Sequence, residues 1–264
     1  MRRIAIVALV AAAGCNKTTE LDPGPSDRYY FPTGAAVTAE GRLLVASSNF
    51  DLRYAEDDGG SVISVDPLQE PAPGLARLLG TVNVQSLGGQ LALADPATCT
   101  AIPDPAAGAV AVLPVRGANL VYPLRVAADG AVSCADCAIP IGTTNHVDPF
   151  NVGIACSPGI ARAFVGFLNN IGLGLVAQVN LVDGAVQQFA VDAGQVRGFA
   201  YDPTRERLYM THTVLAGTTE LRWVDLGGKI PCALDPTQPC PCELDAADTS
   251  RLCAMGISVA GAVP

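Results

Sequence analysis

Four stretches of this chain follow one order: an apolar strand, a turn, a second apolar strand ending in polar residues, a turn, and a third strand that often closes in Val-Asp or Asp. They are GAAVTAEGRLLVASSNFDLRYAEDDGGSVISVD, LALADPATCTAIPDPAAGAVAVLPVRGANLVYPLRV, NVGIACSPGIARAFVGFLNNIGLGLVAQVNLVDG and GFAYDPTRERLYMTHTVLAGTTELRWVDLGG. A phrase that recurs in order is the mark of a repeat architecture, because each unit buries its apolar face only against its neighbours. The fourth unit is the cleanest: GFAY, a turn at Asp202 to Arg205, then LYMTHT as an alternating strand, which predicts a hairpin. Asn49, Arg116, Asn169 and His212 end the second strands and stand 67, 53 and 43 positions apart. The shorter intervals approach a repeat of about 40 to 50 residues. The longest contains the insert DPATCTAIPDPAAG. Gly and Pro number 27 and 20, which suits short strands joined by many turns and disfavours long helices.

The stretches RLLVASSNF, RAFVGFLNN and RLYMTHT, each followed by a third strand, resemble blades of a β-propeller, in particular the YVTN and NHL-like propellers of bacterial surface lipoproteins. The resemblance spans residues 30–228. An immunoglobulin-type sandwich has no reason to repeat one three-strand phrase. The expected fold is therefore all-β, a partial β-propeller of about four blades of antiparallel strands. Unequal unit lengths predict an open arc in place of a closed ring. Residues 229–264 read as a cysteine-rich linker and the start of a further, incomplete blade, with a terminal strand around Ile257 to Ala262, as in a truncated product.

In a propeller the loops joining second to third strands open on one face. This places Asn49, Phe50, Asp51, Arg116, Asn119, Asn169, Asn170, Thr211 and His212 on a common rim. Loops on a rigid scaffold often carry function, so these amides, the carboxylate and the imidazole are the candidate binding site. Asn and Asp also recur at strand ends because they accept turn geometry, and that structural explanation is preferred.

The amino terminus reads as an address. Arg2 and Arg3 precede ten apolar residues, Ile4 to Ala13, and small residues lead into Cys15. This is the layout of a secretory signal at residues 1–14. It is too short for a spanning helix, which needs about twenty apolar residues. AAGC resembles the bacterial lipobox, with Ala12 where leucine is usual, and implies lipidation of Cys15. Residues 15–29, polar and rich in Pro and Gly, are expected to act as a flexible tether. Asn16, in place of the aspartate that often signals inner-membrane retention in such lipoproteins, favours the outer membrane. The expected setting is the cell envelope or periplasm.

Apart from Cys15, eight cysteines remain: Cys99, Cys134, Cys137, Cys156, Cys232, Cys240, Cys242 and Cys253. An even count in an exported chain points to disulfides, with pairing inside each group of four because short loops close more cheaply. CADC and CPC lack the intervals of a zinc finger or ribbon. No His follows Cys137, which rules out c-type haem attachment, and CADC sits in a turn without the helix that would activate a redox thiol. The acidic AEDDGG lacks the alternation of a calcium loop and suits a hairpin turn. GISVAG has Ala260 where a nucleophile elbow closes in glycine, so Ser258 receives no catalytic role. His146 and His212 have no partners that would make a catalytic triad. Trp223 is expected to pack in a third strand.

A formal net charge of −9 argues against phosphate binding and excludes nucleic acid as a main partner. Two functions remain. One is a non-catalytic, lipid-anchored binding or scaffold module that meets the membrane through its anchor and a small molecule or an envelope protein through its rim, without a cofactor. The other, implied by the resemblance, is a lactonase-like hydrolase or a dehydrogenase-like enzyme with calcium at the axis.

Overall fold

The computed structural model describes residues 21–231, except 73–75, 97–98, 103–107, 135–136, 143–145, 171–173, 192–193, 205, 214–218 and 227–229, together with residues 239–240. The described chain is strand and turn throughout. Blade 1 is a four-stranded antiparallel meander of β1 (Pro32–Val37), β2 (Leu43–Ser47), β3 (Gly60–Asp66) and β4 (Arg77–Val84). Blade 2 contains β5 (Ala92–Ala94), β6 (Ala109–Val115), β7 (Leu120–Val126), β8 (Val132–Ser133) and β9 (Ile139–Pro140). Its outermost strand is divided, since β8 and β9 both pair with β7. Blade 3 comprises β10 (His146–Ser157), β11 (Ile160–Asn170), β12 (Gly174–Asn180) and β13 (Val186–Val191). Blade 4 comprises β14 (Gln195–Asp202), β15 (Arg207–Thr213) and β16 (Thr219–Asp225). Two short strands, β17 (Ile230–Pro231) and β18 (Pro239–Cys240), pair beyond it.

Each of the four repeats is thus a blade, and blades 1 to 3 carry an outer strand beyond the three expected. These outer strands escape a search for apolar runs because they lie at the sheet edge. Arg77 to Val84 is mostly exposed or half-buried. A second recurring feature is an arginine near the start of the second strand beside the residue that closes the third. Arg42 pairs with buried Asp66, whose other oxygen caps the Leu68 amide at 3.0 Å. Arg162 stands opposite Asn180, and Arg207 opposite Asp225. Arg207 also covers the ring of Trp223 at 4.1 Å, and Trp223 lies in a third strand as expected.

The first strand of every blade gains one residue against its partner. The register slips between Pro32 and Gly34, between Pro149 and Asn151, and between Val196 and Gly198. In blade 2 the same slip falls between the Gly88–Val115 bridge and the Ala92–Val112 pair. A bulge turns backbone groups out of the sheet, and here successive bulges meet. The Gln90 amide donates to Phe150 O at 2.9 Å, and Asn151 Nδ2 donates to Val196 O at 2.9 Å. Between blades 1 and 2, a Cβ on Gly34 would stand only 2.4 Å from Leu91 N. The first strands therefore line the inside of the arc, each in contact with the next.

Strand alternation divides blade 2 between two cores. Ala109, Ala111, Leu113 and Val115 face blade 1, whereas Val110 and Val112 face blade 3. A third cluster joins Phe164 and Val176 of blade 3 to Val196, Leu208 and Met210 of blade 4. Packing runs in chain order from blade 1 to blade 4, so the described blades form a partial β-propeller, an open arc. The Cys99–Cys156 disulfide ties the insert of blade 2 to the end of β10. Cys134 and Cys137 pair with each other. Both bridges fall within the first group of four cysteines, as expected.

Residues 21–29, assigned to the tether on composition, lie against blade 1. Ala55 N donates to Asp22 O at 2.9 Å, Gly24 N donates to Asp58 O at 3.2 Å, and Thr81 Oγ1 donates to Ser26 O at 2.7 Å. A polar segment without a core of its own gains order here by supplying carbonyls and an amide to the edges of another unit. The signal segment, Cys15, Asn16, Cys232, Cys242, Cys253, Ser258 and the expected terminal strand fall outside the described residues, as do the side chains of His146 and Cys240.

Candidate functional site

The rim is assembled by three consecutive segments. The loop between β2 and β3 (residues 48–59) and the β6–β7 turn (116–119) flank the connection from blade 1 to blade 2 (85–91). Leu87 N donates to Ser48 O at 2.6 Å, Ser86 N to Glu56 O at 2.8 Å, and Arg116 N to Leu87 O at 3.0 Å. Asn49 and Arg116, 67 positions apart, are thereby joined through a segment that the repeat pattern does not single out.

Asn49 is fully buried, with φ +46°. Its Nδ2 donates to Ser86 Oγ at 2.7 Å and to Tyr54 O at 3.1 Å, and its Oδ1 accepts from Tyr54 N at 3.2 Å. The amide clamps the loop. Asp51 pairs with Arg53, and Phe50 projects into solvent, 58% exposed. Arg116 is half-buried, 3.8 Å from the Asp148 carboxylate and 5.8 Å from the centre of the Phe150 ring. Asn119, at φ +53°, accepts from Asp148 N at 3.1 Å through Oδ1 and from Ile141 N at 3.0 Å through its carbonyl. Arg116 and Asn119 thus meet blade 3 at Asp148, itself at φ +60°.

Asn169 and Asn170 end β11 opposite Val147 and His146, which brings their backbone alongside Asp148; their side chains lie outside the described residues. His212 is fully buried in β15, between Val196 of β14 and Glu220 of β16 in register, while Thr211 beside it is exposed. The imidazole therefore sits inside blade 4. The structure brings Asn49, Arg116, Asn119 and the Asn169 backbone onto one edge.

Beside Asn49 the rim encloses a pocket of about 270 Å³. Its walls are Leu21, Leu52, Tyr54, Leu87 and the Gly117–Ala118 turn, with Glu56 and Gln85 at its polar side. Leu21 and Leu52 are 50% and 54% exposed. Leu52 is held at φ +53°, a conformation that costs of order 1 to 3 kcal/mol for a side-chain-bearing residue and marks a position fixed by its surroundings. Nearby, Tyr122 is buried and contacts the Gln85 backbone; burial pushes its hydroxyl above the ordinary value, Asp57 adds to the rise, and the Gln85 contact opposes it. Tyr54, Ser86 and Asp148 were missed in the sequence because no motif marks them, whereas Glu56 is weighed there only as part of a calcium loop. Glu56 belongs to AEDDGG, which forms the end of the long β2–β3 loop in place of a tight turn at Asp58–Gly59; Ser86 donates to Ala55 O at 3.1 Å and Tyr30 donates to Gly59 O. A pocket with apolar walls and one carboxylate can hold a ligand bearing an amine or hydroxyl beside an aliphatic group.

No family model matches the chain, and no curated protein matches it. Solved structures do. A protein of unknown function from Desulfotomaculum acetoxidans aligns with TM-score 0.48 at 13% identity, over 71% of this chain and 54% of the other. Candidate 6-phosphogluconolactonases from Bacteroides uniformis and Bacteroides fragilis align with TM-scores 0.42 and 0.40 at 12% and 14% identity. These cover 77% and 75% of this chain, and 71% and 68% of theirs. The chain thus spans about half the length of the first of these structures. At such scores the likeness transfers neither an activity nor a substrate.

Proposed function

We propose that this chain is a lipid-anchored β-propeller of the cell envelope, of the YVTN or NHL-like kind, that binds a partner at its rim and performs no catalysis. The observation that supports a binding role is the engagement of the nominated polar groups. Asn49 uses both amide atoms on Tyr54 and Ser86, and Asp51 is paired with Arg53. These partners hold both side chains in place, Asn49 buried and Asp51 against Arg53. The adjoining pocket is lined by Leu21, Leu52 and Glu56, of which Leu21 and Leu52 are half exposed. A small molecule or an envelope protein presenting a basic or hydroxylated group beside an aliphatic one fits this lining.

Three measurements test the proposal. The full chain expressed in a bacterium should partition into the detergent phase, and Cys15→Ser should move it to the aqueous phase; identical partitioning of both removes the anchor. Incubation with a sugar lactone and calcium should give no turnover above the buffer rate. Turnover that is lost in Asp51→Asn would establish the enzymatic alternative. Hexylamine should bind saturably and weaken by about tenfold, roughly 1.4 kcal/mol, in Glu56→Gln. Equal binding in both proteins would remove the pocket from the site.

A further inference from the structure

We propose that the space beneath the interrupted outer strand of blade 2 is a binding site for a small organic carboxylate. The sheet itself creates this space. β8 pairs with Arg125 and Val126, β9 pairs with Leu120 and Val121, and the three β7 residues between them lie opposite five residues of the outer strand. The outer strand is thus two residues too long. Cys134 and Cys137, joined by a disulfide, lie between β8 and β9 in the chain. A cavity of about 280 Å³ is bounded by Ser133, Cys134 and Cys137 and by the β12–β13 turn of blade 3, with Leu181 and Val182 on its far wall.

Register determines which side chains enter it. Val110 stands opposite Arg125, and Arg125 opposite Ser133, so these three form one row across the sheet. Val110 belongs to the core shared with blade 3, so the row faces blade 3 and the cavity. Arg125 Nη1 is buried and has no hydrogen-bond partner among the described residues. A guanidinium cannot shed its proton to relieve burial, so its desolvation is offset only by an acceptor. Asp183, on the facing turn, directs one oxygen at its own turn, accepting from Ala185 N at 2.9 Å.

A carboxylate matches the planar fork of arginine, while Val110, Pro123, Leu181 and Val182 offer aliphatic contact to a short chain. The volume lies just below the usual range for ligand pockets, roughly 300 to 1,000 Å³, so the ligand is small. An inorganic anion would satisfy Arg125 and leave these apolar walls unused. The negative net charge of the chain opposes anions at long range. Recognition therefore rests on contact inside the cavity, and binding should depend on both the charge and the alkyl body of the ligand.

The test is titration of the full chain with sodium hexanoate, with hexanamide and sulfate as comparison ligands, followed by calorimetry. Hexanoate should bind saturably at one site, with hexanamide and sulfate each weaker by about tenfold or more. Arg125→Gln should weaken hexanoate by a similar factor. Val182 is 47% exposed, so Val182→Trp should obstruct the cavity and weaken binding without lowering the melting temperature, even if Arg125→Gln does not fold. Absence of saturable hexanoate binding to the parent chain overturns the proposal. So does equal affinity for hexanoate and hexanamide, or undiminished binding in the variants that fold.

Discussion

At the scale of single residues, Asn49 shows how one side chain can fit two explanations. In the sequence it is an amide at a strand end on a predicted rim. In the structure it is buried, in the left-handed conformation, with hydrogen bonds to Tyr54 and Ser86. Asn→Ala at this position loses these bonds and places an unsuited side chain at positive φ. The expected cost is about 2 to 4 kcal/mol by urea unfolding. A ligand-binding residue outside the framework would change stability by about 0.5 kcal/mol or less. Tyr30 gives a pH-dependent counterpart. Burial, the largest influence, raises its hydroxyl above the ordinary value. The neutral phenol is therefore favoured in the folded chain. That contribution is complete below the unfolded value, about pH 10, and is lost as pH rises through the higher folded value. Unfolding midpoints measured upward from pH 10 should fall less steeply in Tyr30→Phe than in the parent. The sequence could not reveal Asn49's role because Ser86, its partner, is 37 positions away in a connection outside the repeated phrase.

At the scale of strands, what was legible followed burial. β2, β6, β12 and β15 have apolar faces toward neighbouring blades, so their pattern shows in the sequence. β4 and β13 lie at sheet edges with mixed composition, and β8 and β9 are two residues each. The bulges of the first strands are equally hidden, since a one-residue slip is a relation between strands and not a property of either. Pairing of cysteines within the first group followed from loop closure, but which cysteines meet depended on the insert folding back on β10. The two bridges should contribute unequally. Cys99–Cys156 spans 57 positions and Cys134–Cys137 spans three. In the chain-entropy account these correspond to about 4 and about 2 kcal/mol. Replacing both cysteines of the first pair by alanine should lower the urea midpoint more than replacing those of the second. Equal losses would mean that the length of the closed loop does not set what each bridge contributes. Gly153 provides a further check on the inner strands: a Cβ there would stand 2.2 Å from Phe199 Cβ. Gly153→Ala should cost about 1 to 3 kcal/mol by forcing blades 3 and 4 apart.

At the scale of the whole molecule, stability should vary along the arc. In a stack of units each blade is held by the apolar area it shares with its neighbours, so the strength of each interface, more than the strands within it, determines which unit opens first. The described cores are unequal. The blade 2 to blade 3 interface includes Phe167, Ile102, Ile141 and Val112, fully or almost fully buried, and the Cys99–Cys156 bridge crosses it. The blade 1 to blade 2 interface buries Leu44, Val62, Leu113 and Leu124. The blade 3 to blade 4 core is smaller, centred on Phe164, Leu208 and Met210, and the exposed face of β14 places Ala200 and Arg197 in solvent. With about 25 cal/mol for each Å² of apolar surface removed from water, a smaller shared area gives a lower free energy of local opening. Native-state hydrogen exchange should therefore show the slowest amides in β6, β11 and β12, intermediate rates in β2 and β3, and the fastest ladder exchange in β15. The central strands are compared because each has neighbours on both sides, so edge position does not confound the ranking. Reduction of the chain should narrow the gap between blades 2 and 3 and the rest, because the long bridge then ceases to constrain opening. Uniform protection across β2, β6, β11 and β15 would show that the four blades open as one cooperative unit and that interface area does not set the order.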